Sequence, residues 1–266
     1  MILQDLHCHT TFCDGHDTAE DMVLSAIEKG MKVLGFSGHS YTPFDEEACM
    51  SIQGTEDYRT EVLRLRKKYK DRIDIYCGIE QDIFGQMPLD PFDYSIGSVH
   101  YVFLNGEYII VDFYPELMKE AVESRFGGDW YSLCELYYSY VSKLWVRTRC
   151  DIVGHFDLIT KYNEGDCLFD TGHPRYIKAW QAAADELLKH GLIFEINTGA
   201  VSRGYRSEPY PSMQIIRYIN DKGGKFILSS DSHEKKNLLY GFEDVSKVLE
   251  AEGIQLCSAE DVINNK

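Results

Sequence analysis

DLHCHTTFCDGH, residues 5–16, sets how the rest of the chain is read. It starts inside a short apolar run, MILQDLH at 1–7, that has the character of a strand, and turns polar within two residues. Alternate strand residues point to one side, so His7 and His9 face together while Cys8 faces away. The same transition recurs along the chain. Strands are predicted at 32–37, 72–79, 94–102, 150–155, 192–197 and 225–230. They run into Gly38-His39, Gly78-Ile79-Glu80, Ser98-Val99-His100, Gly154-His155, Glu195-Ile196-Asn197 and Asp231-Ser232-His233.

Segments with helical spacing lie between them, at 18–29, 54–70, 129–148, 174–190, 211–222 and 241–252. Thr18-Ala-Glu-Asp21 reads as a capping box, Pro174 suits a first helical turn, and Gly30 and Gly191 suit helix ends. Asn105-Gly106 between 99–103 and 107–112 predicts a hairpin with a type I′ turn. Strands alternating with helices imply an α/β fold with a parallel sheet. An open sheet would spread seven strand ends over roughly 30 Å, at roughly 4.8 Å per strand. A closed barrel brings them to one face, where active sites of such barrels are built. The expected architecture is therefore a TIM-like barrel, one domain over 1–266, with its site at the carboxyl ends of the strands.

Imidazole and carboxylate donors of this kind suit zinc, manganese or iron. A single histidine at a strand end is usually a hydrogen-bonded structural residue. His7, His9, His39, Glu80, His100, His155, Asp231 and His233 repeat the placement at six strand ends, which points to metal binding. His16 lies on a loop and joins them through its motif. Asp14 either caps the turn at Gly15 or takes part in chemistry. His173 and His190 fall at predicted helix ends and read as structural, as do Glu195 and Asn197 as packing residues.

Composition narrows the function classes. The chain has 43 acidic against 27 basic residues and a formal charge of −16, a poor match to long nucleic acid. Ions held in the pocket would nonetheless make it locally attractive to phosphate. No run of roughly 18–20 apolar residues predicts a membrane span, and the first residues do not resemble a signal peptide. The eight cysteines form no Cys-x-x-Cys pair and read as reduced thiols, so a cytoplasmic protein is expected.

The ordered set DLHCHTTFCDGH, GFSGHS, GIEQD, IGSVH, DIVGHFDL, FEINTGA and SSDSHE resembles the polymerase and histidinol phosphatase (PHP) superfamily, and most closely its stand-alone histidinol-phosphatases. That resemblance spans the chain. It implies a distorted (β/α)7 barrel holding three divalent ions. One ion would use His7, His9, Glu80 and Asp231; a second Glu80, His100 and His155, with Glu80 bridging; a third His16, His39 and His233. It also implies basic residues that clamp phosphate, for which this chain offers Lys161, Arg203 and Arg206.

The implied reaction is hydrolysis of L-histidinol phosphate, a step of histidine biosynthesis, with a hydroxide held between ions attacking phosphorus in line with the leaving alkoxide. Asp231 and His233, with Asp14 behind them, are the candidate proton donors. The substrate's imidazole and ammonium call for acids and aromatics, expected from Phe113, Tyr114, Glu116 and Trp130 on a loop over 113–130. Competing readings are a phosphotyrosine phosphatase, a nuclease and a non-catalytic metal-binding module. The acidic charge argues against the nuclease, and the full ligand set against the module.

Overall fold

A computed structural model describes residues 3–264, so residues 1 and 2 of the first predicted strand lie outside the described residues. In chain order the strands are β1 (Gln4–Asp5), β2 (Val33–Phe36), β3 (Asp74–Cys77), β4 (Ile79–Asp82), β5 (Ser95–Ser98), β6 (Tyr101–Leu104), β7 (Glu107–Ile110), β8 (Ile152–Val153), β9 (Ile193–Asn197) and β10 (Lys225–Ser229). The helices are α1 (Ala19–Glu28), α2 (Ile52–Tyr69), α3 (Pro115–Phe126), α4 (Trp130–Val141), α5 (Leu144–Thr148), α6 (Pro174–Leu188), α7 (Gly199–Ser202), α8 (Met213–Asp221), α9 (Phe242–Ala251) and α10 (Ala259–Ile263).

Two parallel sheets, β1-β2-β3 and β10-β9-β8-β5-β4, make up the framework. They join at both margins. The extension of β1 bridges that of β10, with His9 N–H donating to Ser232 O (2.9 Å) and Ser232 N–H to His7 O (3.2 Å). The extension of β2 bridges β4, with Ser40 N–H donating to Glu80 O (2.8 Å) and Glu80 N–H to Gly38 O (3.1 Å). The result is a distorted (β/α)7 barrel in which β3 and β4 are two halves of one stave, broken at Gly78. The strand predicted over 72–79 is thus longer and bent.

That bend has a steric cause. Tyr94 is fully buried inside the barrel, and its hydroxyl reaches the carbonyl oxygens of Leu6 and Phe36. A Cβ at Gly78 would lie 2.2 Å from Tyr94 Cζ, and one at Gly35 2.5 Å from its hydroxyl. Leu6, Ile96, Ile152, Ile193 and Ile227 pack with Tyr94, and Ala259 and Val262 of α10 close this end. A second apolar cluster lies between α1, α2 and the β1-β2-β3 sheet. The largest, including residues of α3, α4, α6 and α8, covers the other sheet.

Local signals mostly hold. Thr18 caps α1 by accepting the Asp21 N–H, and α6 starts at Pro174. Asn105 (φ 52°) and Gly106 (φ 93°) turn the β6–β7 hairpin with the two positive φ values a type I′ turn needs. Two expectations differ. The helix expected over 129–148 is divided into α4 and α5. The loop expected over 113–130 contains α3, with Pro115 in its first turn and Gly127 as a left-handed cap at φ 59°.

Gly78→Ala should therefore lower stability by about 1–3 kcal/mol, the usual cost of overpacking a filled core. A urea midpoint indistinguishable from wild type would show that Tyr94 can move aside.

Candidate metal centre

Glu80 forms the floor of the site. It is buried at 1% exposure on β4, and its two oxygens face different histidines. Oε1 lies 2.9 Å from His155 Nε2 and 3.5 Å from His100 Nε2, and accepts the Ser98 hydroxyl at 2.5 Å. Oε2 lies 3.0 Å from His39 Nδ1, 3.2 Å from His7 Nε2 and 3.4 Å from His9 Nε2. His7 and His9 do face together, with Nε2 atoms 3.1 Å apart, while Cys8 packs into the α1–α2 core.

Asp231 and His233 reach the same place by another route than the expected strand alternation. β10 ends at Ser229, and Asp231 adopts a left-handed φ of 49°. This turn sets Asp231 Oδ1 3.3 Å from His9 Nε2 and 3.6 Å from His233 Nδ1.

His16 lines the cavity into which the centre opens, but its ring joins none of these ligand contacts. Its side chain is 71% exposed and lies 3.7 Å from Glu234, although its N–H donates to His233 O (2.8 Å). The preceding turn is tight, since a Cβ at Gly15 would lie 2.4 Å from Thr10 N. The turn presents Asp14 inward instead. Asp14 Oδ2 is 3.2 Å from His233 Nε2 and 3.6 Å from His39 Nε2, and Oδ1 is 3.4 Å from His9 Nδ1.

Among the described residues, four groups each have their ligand atoms within 4.8 Å of one another: His9, Asp14, His39 and His233; His7, Glu80 and His155; His7, His9 and Asp231; and His39, Glu80 and His100. Their nitrogen and oxygen donors fit divalent cations. The electrostatics agree. Burial opposes ionisation of Glu80, yet His39, His7 and His100 hold it well below the usual carboxylate range. Burial likewise opposes ionisation of Asp231, and Arg203 and His7 outweigh it. Burial alone would depress His7, but Glu195, Glu80 and Asp231 lift it to about 10. His39 is raised in the same way against its burial by Glu80 and Asp14. So many anions in so little solvent require positive charge, which divalent ions would provide in place of protons.

The centre opens into a cavity of about 610 Å³. Arg203 and Lys161 both line it. Arg203 donates to Asp231 through Oδ2 (3.1 Å) and the main-chain oxygen (3.0 Å), and Lys161 Nζ to Asp112 O (2.7 Å). Arg206 does not line it: its guanidinium bonds Thr160 and lies 5.0 Å from the Tyr210 ring, turned inward beside buried Asp157. Of the expected substrate loop, Phe113 and Tyr114 line the cavity. Glu116 and Trp130 do not, because they belong to α3 and α4, where Trp130 stacks on Phe169. His173 caps α6, and His190 stacks on Trp145.

Two supporting residues, Ser98 and Asp82, are not singled out by the sequence, and a third, Glu195, reads there as a packing residue. Ser98 holds Glu80, Asp82 accepts the His100 N–H (2.8 Å), and Glu195 Oε1 lies 2.6 Å from His7 Nδ1. Strand alternation places Glu195 on a face of β9 shared with Ile193, which packs inside the barrel, but does not say which side chain it meets there.

The PHP domain family model matches residues 5–199. The chain is similar to a Deinococcus radiodurans protein named "Probable histidinol-phosphatase", at 29% identity over 260 residues and 92% of each chain. Among solved structures it resembles hisK of Listeria monocytogenes, with a TM-score of 0.79 and 22% identity over 91% of this chain and 99% of that one. It also resembles the Lactococcus lactis histidinol phosphate phosphatase, complexed with zinc, L-histidinol and phosphate. There the TM-score is 0.70 and the identity 19%, over 96% of this chain and 95% of that one.

Imidazoles bind metal only when neutral, so metal loading competes with protons. Adding zinc or manganese to the metal-free protein near pH 7 should release protons, and affinity should rise with pH through the histidine range. Calorimetry in two buffers of different ionisation enthalpy measures this. A binding heat independent of buffer would show that the imidazoles are already neutral.

Proposed function

We propose that this chain, which belongs to the PHP domain family, is a metal-dependent phosphomonoesterase acting on L-histidinol phosphate. The observation that carries this reading is Glu80, which offers one oxygen to each of two histidine sets at the floor of a cavity walled by two cations. The name of the Deinococcus radiodurans relative and the ligands of the Lactococcus lactis structure support the substrate.

Three divalent ions are assigned. His7, His9, Glu80 and Asp231 would hold one, and Glu80, His100 and His155 a second. His39 and His233 would hold the third with Asp14, because Asp14 rather than His16 faces them. Bound ions supply Lewis acidity and lower the pKa of water from 15.7 towards about 7.

The chain's own residues orient the ester. Arg203 is pinned by Asp231 and Lys161 by Asp112, so both present their charge to phosphate oxygens with little freedom left to lose. Asp231 is held ionised by Arg203 and is assigned to ligation, not to proton donation. Asp112, Tyr114 and Tyr205 give the cavity acid and aromatic surface for a cationic, imidazole-bearing alcohol.

Phosphate release from L-histidinol phosphate should proceed with kcat/KM of about 10⁴–10⁸ M⁻¹s⁻¹, well above p-nitrophenyl phosphate and phosphotyrosine. Equal, slow rates on all three would remove the substrate assignment, and preference for phosphotyrosine would transfer it. Arg203→Ala should cut kcat/KM by about tenfold or more, from the loss of about 1.5–3 kcal/mol of charge-assisted bonding. Metal analysis separates the third site: Asp14→Asn should lose one ion per chain and His16→Asn none. The reverse pattern would hand that site to His16.

A further inference from the structure

Glu195 does not line the cavity, yet it is fully buried beside the metal centre. It sits mid-strand in β9 on the face turned into the barrel, between Ile193 and Asn197. A carboxylate there is tolerated only if its oxygens are satisfied. Oε2 accepts the His155 N–H and an Asn197 Nδ2 hydrogen, both at 2.9 Å. Asn197 is itself pinned, because its Oδ1 accepts the Gly199 N–H at 2.8 Å. Oε1 is left for His7 Nδ1, at 2.6 Å.

An ionised carboxylate only accepts hydrogen bonds. Nδ1 of His7 therefore keeps its hydrogen, and Nε2, on the side of Glu80 Oε2 3.2 Å away, is the nitrogen that would give up its proton to bind an ion. The second oxygen of Glu195 holds the main chain at His155, whose Nε2 lies 2.9 Å from Glu80 Oε1. β8, of two residues, gives that segment little support of its own. His7, Glu80 and His155 are one of the four ligand groups. Asp5, another buried carboxylate nearby, contrasts with this: it accepts only from the N–H groups of His7 and Ser230 and from the Ser230 hydroxyl, and touches no ligand ring.

We infer that Glu195 is the positioning residue of the two ion sites that share Glu80, setting the His7 ring of the first with one oxygen and the His155 main chain of the second with the other. The inference rests on the metal-centre reading and deepens it. Glu195→Gln tests it, because a glutamine has one acceptor oxygen to set against three donors, so its NH₂ must face one of them.

Zinc affinity, measured by competition with a chromophoric chelator, should fall about 10–100-fold for the ion that His7 holds, the usual loss when the partner of a ligating histidine is removed. The ion of Asp14, His39 and His233 and the urea midpoint of the metal-free protein should hold, and Glu195→Asp, which keeps the charge, should fall between. Unchanged affinity for every ion overturns the inference. So does a uniform loss at all ions with a lowered midpoint, the mark of a merely structural role.

Wild-type protein gives a second measurement that no folding defect can obscure. Loaded with ¹¹³Cd, it should show coupling to His7 through Nε2, with Nδ1 keeping its hydrogen; coupling through Nδ1 overturns the inference. Failure of wild type to bind any divalent ion would remove the metal reading and this inference with it, a result distinct from equal binding by wild type and variant.

Discussion

Glu80 keeps a negative charge where almost no water can reach it, and its surroundings compensate that charge from every side. His7, His9 and His39 face one oxygen; His100, His155 and the Ser98 hydroxyl face the other. A buried carboxylate without compensation costs several kcal/mol. Compensation on this scale draws on residues from positions 7 to 155, and a closed ring of strands can aim them at one atom pair. The barrel is thus the geometry that allows the central charge to exist.

Closing the ring and assembling the site are the same structural event. The two sheets meet through Cys8–Ser232 and His39–Glu80 bridges. The first is flanked by His7 and His9 on one strand and by Asp231 and His233 on the other, and the second consists of two candidate ligands. Slippage at either seam would move ligands by a residue and reverse their facing. At the opposite end, Tyr94 fills the barrel against Gly35 and Gly78, and α10 closes it. A close-packed base of this kind resists compression and shear, which keeps the ligand-bearing ends in register.

Around this rigid floor, the cavity wall is built from tethered charges. Arg203 is tied to Asp231 and Lys161 to Asp112, so each cation has an anionic partner before any ligand arrives. The hairpin of β6 and β7 adds aromatic mass, with Tyr108 stacked on Phe44 at 3.6 Å and Tyr101 bonded to Asp45. These walls draw on segments between the strands, the part of a barrel most free to change with substrate.

Most of the barrel was legible in the sequence, and so was the strand-end placement of the eight ligand candidates that the fold brings together. Strand alternation is a local covalent property, and it shows wherever an apolar run ends in a histidine or carboxylate. Helix limits were legible for the same reason, through the cap at Thr18 and the first-turn proline at Pro174. α3 was missed although Pro115 and Gly127 mark its ends, because its weak amphipathic pattern resembles a loop. What sequence could not decide was the direction of side chains that depend on distant contacts. Asp14 reaches the histidines while the His16 ring stays at the exposed rim of the cavity, with the turn at Gly15 against Thr10 and the His16 N–H held by His233 O. Arg206 turns from the cavity toward Asp157 and Tyr210, and Glu195 meets His7 across 188 residues of chain. Sequence determined which residues sit at the strand ends, since that follows from neighbours along the chain. Only the tertiary structure decided which of them meet, since those distances are set by strand register and packing between residues far apart in sequence.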